Sequence, residues 1–371
     1  MRICIDIQLA ILNPTGVGRY TLELVKHLDN IIESDELLLF QFNLAKYELP
    51  FPLSHSTRRI IRLLPGRVIR RAWRFLNNRP SFNLFSGPSD VFHFTNFIRP
   101  PLKNGKSIVT VHDMSFLRYP EYAPTRYAKY LTKTIQDTVN KTDIILTDSK
   151  FSKQEIESLL NIDSSRLFHV YPGISSEFCK RDVESIKQFF SQHNIDRPYI
   201  LLVSTIEPRK NIPFLIEVFE RLKNFDGYLI IAGKLGWKYD TIMTRIRTSS
   251  KVKDIRYIEY VNENDLSLLY SGAELFVFPS FYEGFGLPPL EAMACGVPVV
   301  SSAGGSLHEV LGNGACIMHT FEIDEWVETI HKLVIDTDFK KKQVDAGYRR
   351  VIKYTWHDTA TQVLKIYRDL T

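Results

Sequence analysis

The sequence predicts an α/β protein made of two open parallel-sheet domains that face one another across a cleft. Three observations predict it. Short apolar runs alternate with helical patterns along nearly the whole chain, the signature of parallel βαβ winding. The chain's 371 residues are long for one core and comfortable for two. At Tyr171-Pro172-Gly173-Ile174, proline and glycine end one strand series and a second helix–strand series begins. Residues 1–172 are therefore expected to form the first domain and 173–354 the second.

The first series reads as strands over Ile3–Ile7, Leu37–Phe42, Val91–Phe94, Ile108–Val111, Ile144–Thr147 and Leu167–Tyr171. Each is a short apolar run rich in β-branched or aromatic residues. The second series reads Ile200–Ser204, Tyr228–Ala232, Ile255–Ile258, Leu275–Phe278, Pro298–Ser301 and Cys316–Met318. Helical spacing fills most gaps, as over Thr125–Asn140 and Pro213–Lys223. At the end of the chain, Trp356, Val363, Leu364, Ile366 and Tyr367 share a helical face, so residues 355–371 are expected to pack back on the first domain. In such sheets ligands bind outside the carboxyl ends of the strands.

Composition is that of an ordinary globular protein, 44% hydrophobic and 24% charged, with no low-complexity tract. No apolar run approaches bilayer-spanning length, and the opening strand leaves no room for a secretory signal peptide. Cys4, Cys179, Cys295 and Cys316 stand far apart in no metal-ligand spacing, which reads as buried free thiols in a reducing cytoplasm. The net charge of +5 says little alone, but its distribution is uneven. Between Glu48 and Asp90 there is no acidic residue, while eight arginines occur, at 58, 59, 62, 67, 70, 71, 74 and 79. Apolar residues including Trp73 and Phe75 interleave with them, a pattern that an anionic membrane surface attracts. The alternative is a solvated helical hairpin whose arginine stems cover apolar surface. The remainder of the chain is not markedly basic, which speaks against a nucleic-acid partner.

Four constellations carry chemistry. Residues Pro279–Glu291 follow the strand Leu275–Phe278 and lead into a small-residue helix. They set Glu283 and Glu291 around backbone that Gly284 and Gly286 leave open, with Pro288 and Pro289 suited to a first helical turn. Amides at a helix start attract phosphate, and paired carboxylates accept hydroxyl donors, so a ligand with phosphate and sugar fits both. After the strand Ile200–Ser204, Arg209 and Lys210 stand side by side, a fork and a point charge suited to a diphosphate. Between the first strand and an amphipathic helix, Gly16 and Gly18 allow close backbone approach; Thr21 where a third glycine belongs excludes a dinucleotide fingerprint. Finally, His112 beside Asp113 at the end of Ile108–Val111 is placed to act as a base or to hold a sugar hydroxyl.

Three patterns are rejected. Gly105-Lys106-Ser107 precedes its strand, where a phosphate loop would follow one. Asp336-Thr337-Asp338 ends a helical pattern beside Lys340, Lys341 and Lys342 and reads as a solvated turn. The ten histidines show no spacing that argues for a metal site, so none is expected.

Taken together, the clusters resemble the retaining GT-B glycosyltransferases, in particular family 4 (group 1). The resemblance rests on Glu283 and Glu291 within Glu-Gly-Phe-Gly-Leu-Pro-Pro-Leu-Glu, on Glu207-Pro208-Arg209-Lys210-Asn211, on Gly16-Val17-Gly18-Arg19-Tyr20 and on His112-Asp113. The stretch Val111–Glu121 is most similar to bacterial mannosyltransferases that build O-antigen and other surface polysaccharides. Ser204 and Thr205 depart from the family's pattern, as does His308 where relatives often carry proline.

The resemblance implies two Rossmann-like domains, an acceptor held by the first and a nucleotide-sugar donor by the second. It implies that Arg209 and Lys210 bind the diphosphate, that Glu283 contacts the sugar hydroxyls, and that Glu291 holds the ribose. The amides of Gly284, Phe285, Gly286 and Leu287 would meet sugar and phosphate, His112 the donor sugar, and Gly16 and Gly18 the phosphate region. It implies no metal and no cofactor beyond the substrate, and a saccharide or polyprenyl-diphosphate-linked acceptor. The enzyme would work in the cytoplasm, with the Arg58–Arg79 segment against the inner membrane face. GDP-mannose is the expected donor and a UDP-hexose the alternative. Retention leaves front-face attack or a covalent intermediate on Glu283, and front-face attack is preferred. Outside this class stand a sugar-nucleotide epimerase and a membrane-docking scaffold.

Overall fold

The computed structural model describes residues 1–12, 16–42, 48–62, 68–69, 73, 80–259 and 261–371. The chain divides into two compact units. The first comprises Met1–Met114, Lys129–Gly173 and Thr355–Thr371; the second comprises Ser115–Ala128 and Ile174–Tyr354.

The first unit holds a parallel sheet of β1 (Arg2–Asp6), β2 (Glu36–Phe42), β3 (Thr57–Ile61), β4 (Val91–Phe94), β5 (Lys106–Thr110), β6 (Ile144–Thr147) and β7 (Leu167–His169). Their order is β3-β2-β1-β4-β5-β6-β7, so winding reverses between β1 and β4, where Ile5 pairs with His93. Central strands buried on both faces read as continuous apolar runs, and Ile3, Cys4 and Ile5 are fully enclosed. The core gathers Ile3, Ile5, Leu24, Leu28, Leu39 and Val91 with Trp356, Val363 and Tyr367 of the last helix, Trp356–Leu370. That helix is capped at Thr355, whose hydroxyl oxygen accepts from the Asp358 amide at 3.1 Å.

The second unit holds β8 (Tyr199–Val203), β9 (Tyr228–Ala232), β10 (Ile255–Ile258), β11 (Leu275–Phe278), β12 (Val299–Ser302) and β13 (Cys316–Met318). Their order is β10-β9-β8-β11-β12-β13, again parallel, with winding reversed between β8 and β11. In such sheets the reversal leaves a crevice at the strands' carboxyl ends. The second unit also contains Ser115–Ala128, a segment that the sequence reading counts with the first domain.

Two expectations need correction. The arginine segment is not helical at its start: Thr57–Ile61 is edge strand β3, paired with β2, so Arg58 and Arg59 lie in a sheet. Arg58 is ion-paired with Glu48. Alternation of arginine with isoleucine suits an edge strand, where charge discourages further pairing. Arg67, Arg70, Arg71, Arg74 and Arg79 lie outside the described residues. The thiols are not all buried either: Cys4 and Cys295 are, Cys316 is partly covered, and Cys179 is exposed. Among the described residues no helix is long and apolar enough to cross a membrane.

Candidate active site

In the second unit the two strands beside the reversal each deliver a loop, and the loops meet. After β8 the chain makes a short turn over Pro208–Lys210, and Asn211 takes a left-handed conformation (φ 54°) to start the helix Ile212–Arg221. After β11, Ser280 to Gly286 leads into the helix Leu287–Ala294. Arg209 and Lys210 from the first loop converge on Glu283 from the second. Arg209 Nη1 lies 2.9 Å from Oε2, and Lys210 Nζ lies 2.5 Å from Oε1. Ser280 donates its hydroxyl to the same Oε1 at 2.6 Å. Arg209 also grips Glu207 at 2.8 Å and the Tyr282 carbonyl at 2.5 Å. The Phe281 amide donates to the Arg209 carbonyl at 2.9 Å, closing the two loops on each other.

The electrostatics follow from burial and proximity. Burial pushes the Glu283 carboxyl up, but Arg209, then Lys210 and the hydrogen bonds from Lys210 and Ser280, outweigh it and hold its pKa at about 2. Burial, with Arg209 next door, pulls the Lys210 ammonium below its ordinary value against the attraction of Glu283 and Glu207. Burial raises Glu207 against the pull of both cations. Glu283 is thus a committed anion held between Arg209 and Lys210.

The loop's backbone is shaped by glycine at two points. Gly286 precedes the helix at φ 96°, with no side-chain cap on the helix start, and prolines occupy its first turn. Gly305 sits at φ 66°, where a Cβ would lie 2.3 Å from the Glu283 carbonyl oxygen. That oxygen accepts the Ser306 amide at 2.9 Å, and the Ser306 hydroxyl donates to the Phe285 carbonyl at 3.1 Å. The Phe285 ring is buried edge-on against Tyr354, so this residue offers main chain to a ligand and its ring to the core. Glu291 is buried on the helix and accepts the Tyr270 hydroxyl at 2.9 Å.

The first unit has its own constellation around its reversal. His112, just beyond β5, is buried; its Nδ1 lies 2.7 Å from Asp148 Oδ2 and its Nε2 lies 2.9 Å from the Thr95 carbonyl oxygen. A carbonyl only accepts, so Nε2 carries a proton, and the carboxylate asks the same of Nδ1. Burial pulls the imidazole down, yet Asp148 and the Thr95 carbonyl raise its pKa above the ordinary 6.5. Burial lifts Asp148 against His112, but two acceptors facing one ring favour imidazolium and carboxylate. Both nitrogens are therefore engaged within the protein, so the ring offers a ligand its positive field, with neither a base nor a spare N–H for a sugar hydroxyl.

Thr95 leads back to the glycine turn. Its hydroxyl accepts from Thr21 at 2.8 Å, and the Thr21 hydroxyl also reaches the Val17 carbonyl at 2.9 Å. Thr21 belongs to the helix Val17–Ile31, which starts at exposed Gly16 (φ 51°) and buries Gly18. Tyr20 stands edge-on to His112 at 4.9 Å. Asn13, Pro14 and Thr15 of the turn lie outside the described residues.

The structure thus unites Arg209, Lys210 and Glu283 in the second unit, with Gly284, Phe285, Gly286 and Leu287 on the same loop and helix start. Glu291 lies one helical turn along, while His112, Gly16 and Gly18 cluster in the first unit. Sequence reasoning missed Ser280, Gly305, Ser306, Tyr270, Asp148, Thr95 and Thr21 as partners. Asp148 alone had a signal, being a carboxylate directly after a strand. Asp336 caps the helix Thr337–Val351 through the Phe339 amide at 2.9 Å, so Thr337 and Asp338 open a helix where the sequence reading has a solvated turn. Among the described residues no three His, Cys, Asp or Glu side chains are grouped to hold a metal.

Comparison with known proteins follows the same division. A model of "Glycosyl transferases group 1" matches residues 184–350, and one of "Glycosyltransferase Family 4" matches residues 14–178. O-antigen chain mannosyltransferase B of Escherichia coli is 32% identical over 366 residues, covering 95% of this chain and 96% of its own. O-antigen chain mannosyltransferase RfbU of Salmonella typhimurium is 30% identical, covering 86% of this chain and 87% of its own. Among solved structures, sucrose-phosphate synthase from Thermosynechococcus elongatus superposes with a TM-score of 0.79 at 18% identity, over 100% of this chain and 99% of that one. WaaG, a glycosyltransferase involved in lipopolysaccharide biosynthesis, superposes with a TM-score of 0.75 at 14% identity, over 98% of this chain and 99% of that one. These likenesses establish two parallel-sheet α/β domains of the GT-B type.

Proposed function

The chain belongs to the group 1, family 4 glycosyltransferases, and from that premise we propose that it transfers mannose from GDP-mannose, with retention, to a saccharide or lipid-linked saccharide in cell-surface polysaccharide synthesis. One observation carries the chemistry: Arg209 and Lys210 converge on Glu283 at the carboxyl ends of β8 and β11. The sugar and its destination rest on the similarity to O-antigen chain mannosyltransferase B.

In this reading the donor diphosphate meets Arg209 and Lys210, whose positions are fixed beforehand by Glu283, Glu207 and the Tyr282 carbonyl. Such preorganised cations stabilise charge as it grows on the departing phosphate oxygen. The bond from sugar C1 to that oxygen breaks while the acceptor hydroxyl bonds C1 on the same face. The hydroxyl's proton passes to the departing oxygen. A Glu283 carboxylate with a pKa of about 2 and donors on both oxygens is a weak nucleophile, which supports front-face attack over a covalent intermediate. Glu283 then accepts sugar hydroxyls, Glu291 the ribose, and amides from Gly284 to Leu287 the sugar and phosphate. His112 contacts the donor sugar, with Gly16 and Gly18 closing over the phosphates. Charge neutralisation by the two cations stands where other sugar transferases use a metal. The Arg58–Arg79 segment brings the cytoplasmic enzyme to an anionic membrane surface, which sedimentation with anionic and neutral vesicles tests.

The deciding experiment is a thermal-shift screen against GDP-mannose, UDP-glucose and related donors, followed by nucleotide release with and without acceptor. A donor at a hundredfold excess over its dissociation constant stabilises by about 2.7 kcal/mol. Stabilisation by GDP-mannose and acceptor-dependent GDP release are expected. A response to UDP-sugars alone transfers the assignment to a UDP-hexose, and sugar conversion without acceptor points to an epimerase.

A further inference from the structure

The segment Ser115–Ala128 begins two residues beyond Asp113, yet it packs with the second unit. Its short helical turn Pro120–Tyr122 lies against the loop that bears Glu283. Tyr119 stacks on Tyr122 with ring centres 5.6 Å apart and planes at 14°, and Tyr122 stacks on Phe281 at 5.4 Å and 14°. Tyr119 also meets Tyr282 at 5.6 Å. From Phe281 the contacts continue to Phe321 at 5.1 Å and on to Trp326, a fully buried core residue. Two hydrogen bonds from the loop after β9 pin the segment's backbone: the Trp237 indole to the Tyr122 carbonyl and the Lys238 ammonium to the Glu121 carbonyl. Lys238 holds a left-handed backbone (φ 54°), a conformation that a non-glycine residue adopts only where its surroundings impose it.

The rings touch the very stretch that builds the charge cluster. Phe281 contributes the amide bonded to the Arg209 carbonyl, and Tyr282 contributes the carbonyl that receives the Arg209 guanidinium. Neither residue has a strand or helix of its own to fix it, since β11 ends at Phe278 and the next helix starts at Leu287. Stacking supplies the missing restraint. We infer that Tyr119 and Tyr122 are positioning residues that set the register between Arg209 and Glu283 from outside the site. This inference rests on the reading of that cluster as the donor site. A misplacement of about 1 Å in such a site costs on the order of 100-fold in rate.

The test uses the full chain with GDP-mannose and UDP-glucose as probes, comparing Tyr119→Ala/Tyr122→Ala, Tyr122→Phe and Lys210→Ala. The double variant is expected to weaken donor affinity about tenfold and lower kcat by about 10- to 100-fold. Its far-UV circular dichroism and Tm should stay near wild type. Tyr122→Phe keeps the ring and is expected to restore both parameters, which bulk destabilisation would not predict. If the double variant fails to fold, Trp237→Phe, which removes only the bond to the Tyr122 carbonyl, takes its place with a smaller loss expected. Wild-type affinity and kcat in the alanine or Trp237 variant, beside a disabled Lys210→Ala, overturn the positioning role alone. Wild-type donor binding by Lys210→Ala overturns the donor site itself, and the inference with it.

Discussion

Lys210 Nζ lies 2.5 Å from Oε1 of Glu283, a residue 73 positions further along the chain, and both side chains are at least nine-tenths buried. With Arg209 on the other oxygen, the carboxylate is paired with two cations before any ligand arrives, and Oε2 keeps room to accept a further hydrogen bond. Such a group has two jobs that separate under mutation. It holds the cations in place, and it presents negative charge to whatever they bind.

Glu283→Gln keeps the shape and removes the charge, leaving two cations facing a neutral amide. Removing one partner of a buried pair typically costs about 3–5 kcal/mol. Turnover is expected to fall by about 10²- to 10³-fold, with a lowered Tm. Lys210→Ala should lower turnover comparably with less loss of stability, because the carboxylate keeps Arg209 and Ser280. Steady-state kinetics beside calorimetry check both, and near-normal turnover in either removes that residue from the mechanism.

His112 makes stability depend on pH in a defined direction. Its folded pKa is raised above the ordinary 6.5, so its contribution is complete below 6.5 and is lost as pH rises through the folded value. Burial raises Asp148 above 3.8 as well, so its contribution runs in the same direction, complete below 3.8 and lost as pH rises through its folded value. The stability advantage of wild type over His112→Gln, from urea unfolding at about pH 5.5 to 8.5, should shrink as pH rises. An advantage that grows with pH would contradict the imidazolium assignment.

Glu291 tests ribose recognition apart from phosphate binding. Glu291→Ala should bind GDP about tenfold more weakly, the value of a charge-assisted hydrogen bond. It should also lose the preference for GDP over its 2′,3′-dideoxy analogue. Tyr270→Phe, which removes a donor from the Glu291 carboxylate, should lie between. Titration calorimetry decides, and full ribose discrimination in Glu291→Ala would refute the role.

Gly305→Ala adds one carbon where only 2.3 Å separates the Cβ position from the Glu283 carbonyl oxygen, at a positive φ. Strain of about 1–3 kcal/mol is expected, together with displacement of the catalytic loop. Activity should fall more steeply than Tm, measured on the same preparation. Unchanged kinetics would show that the loop tolerates the shift.

The fold was legible because its strands are buried on both faces and announce themselves as apolar runs, from Ile3–Ile5 to Val299–Val300. The exception, β3, reads Thr-Arg-Arg-Ile-Ile, and an edge strand with one wet face imitates an amphipathic helix at that length. Arg209, Lys210 and Glu283 were legible as chemistry, since each follows a strand. Their mutual pairing was not, because pairing across 73 residues depends on which strands become neighbours. The same limit hid Asp148 from His112, 36 residues away. The attachment of Tyr119 and Tyr122 to the second unit left no local mark, since stacking partners carry no sequence period.

Residues Met1 and Thr371 both belong to the first unit. The terminal amine sits 3.1 Å from Asp35, and Arg368 binds the other oxygen of that carboxylate at 2.9 Å. Tyr367 closes the buried polar contact with His93 at 2.6 Å. During synthesis, then, the ribosome releases the first-made domain in an unfinished condition. The helix Trp356–Leu370 emerges only after the whole second unit, so the amino-terminal half cannot complete its core until those residues have been made.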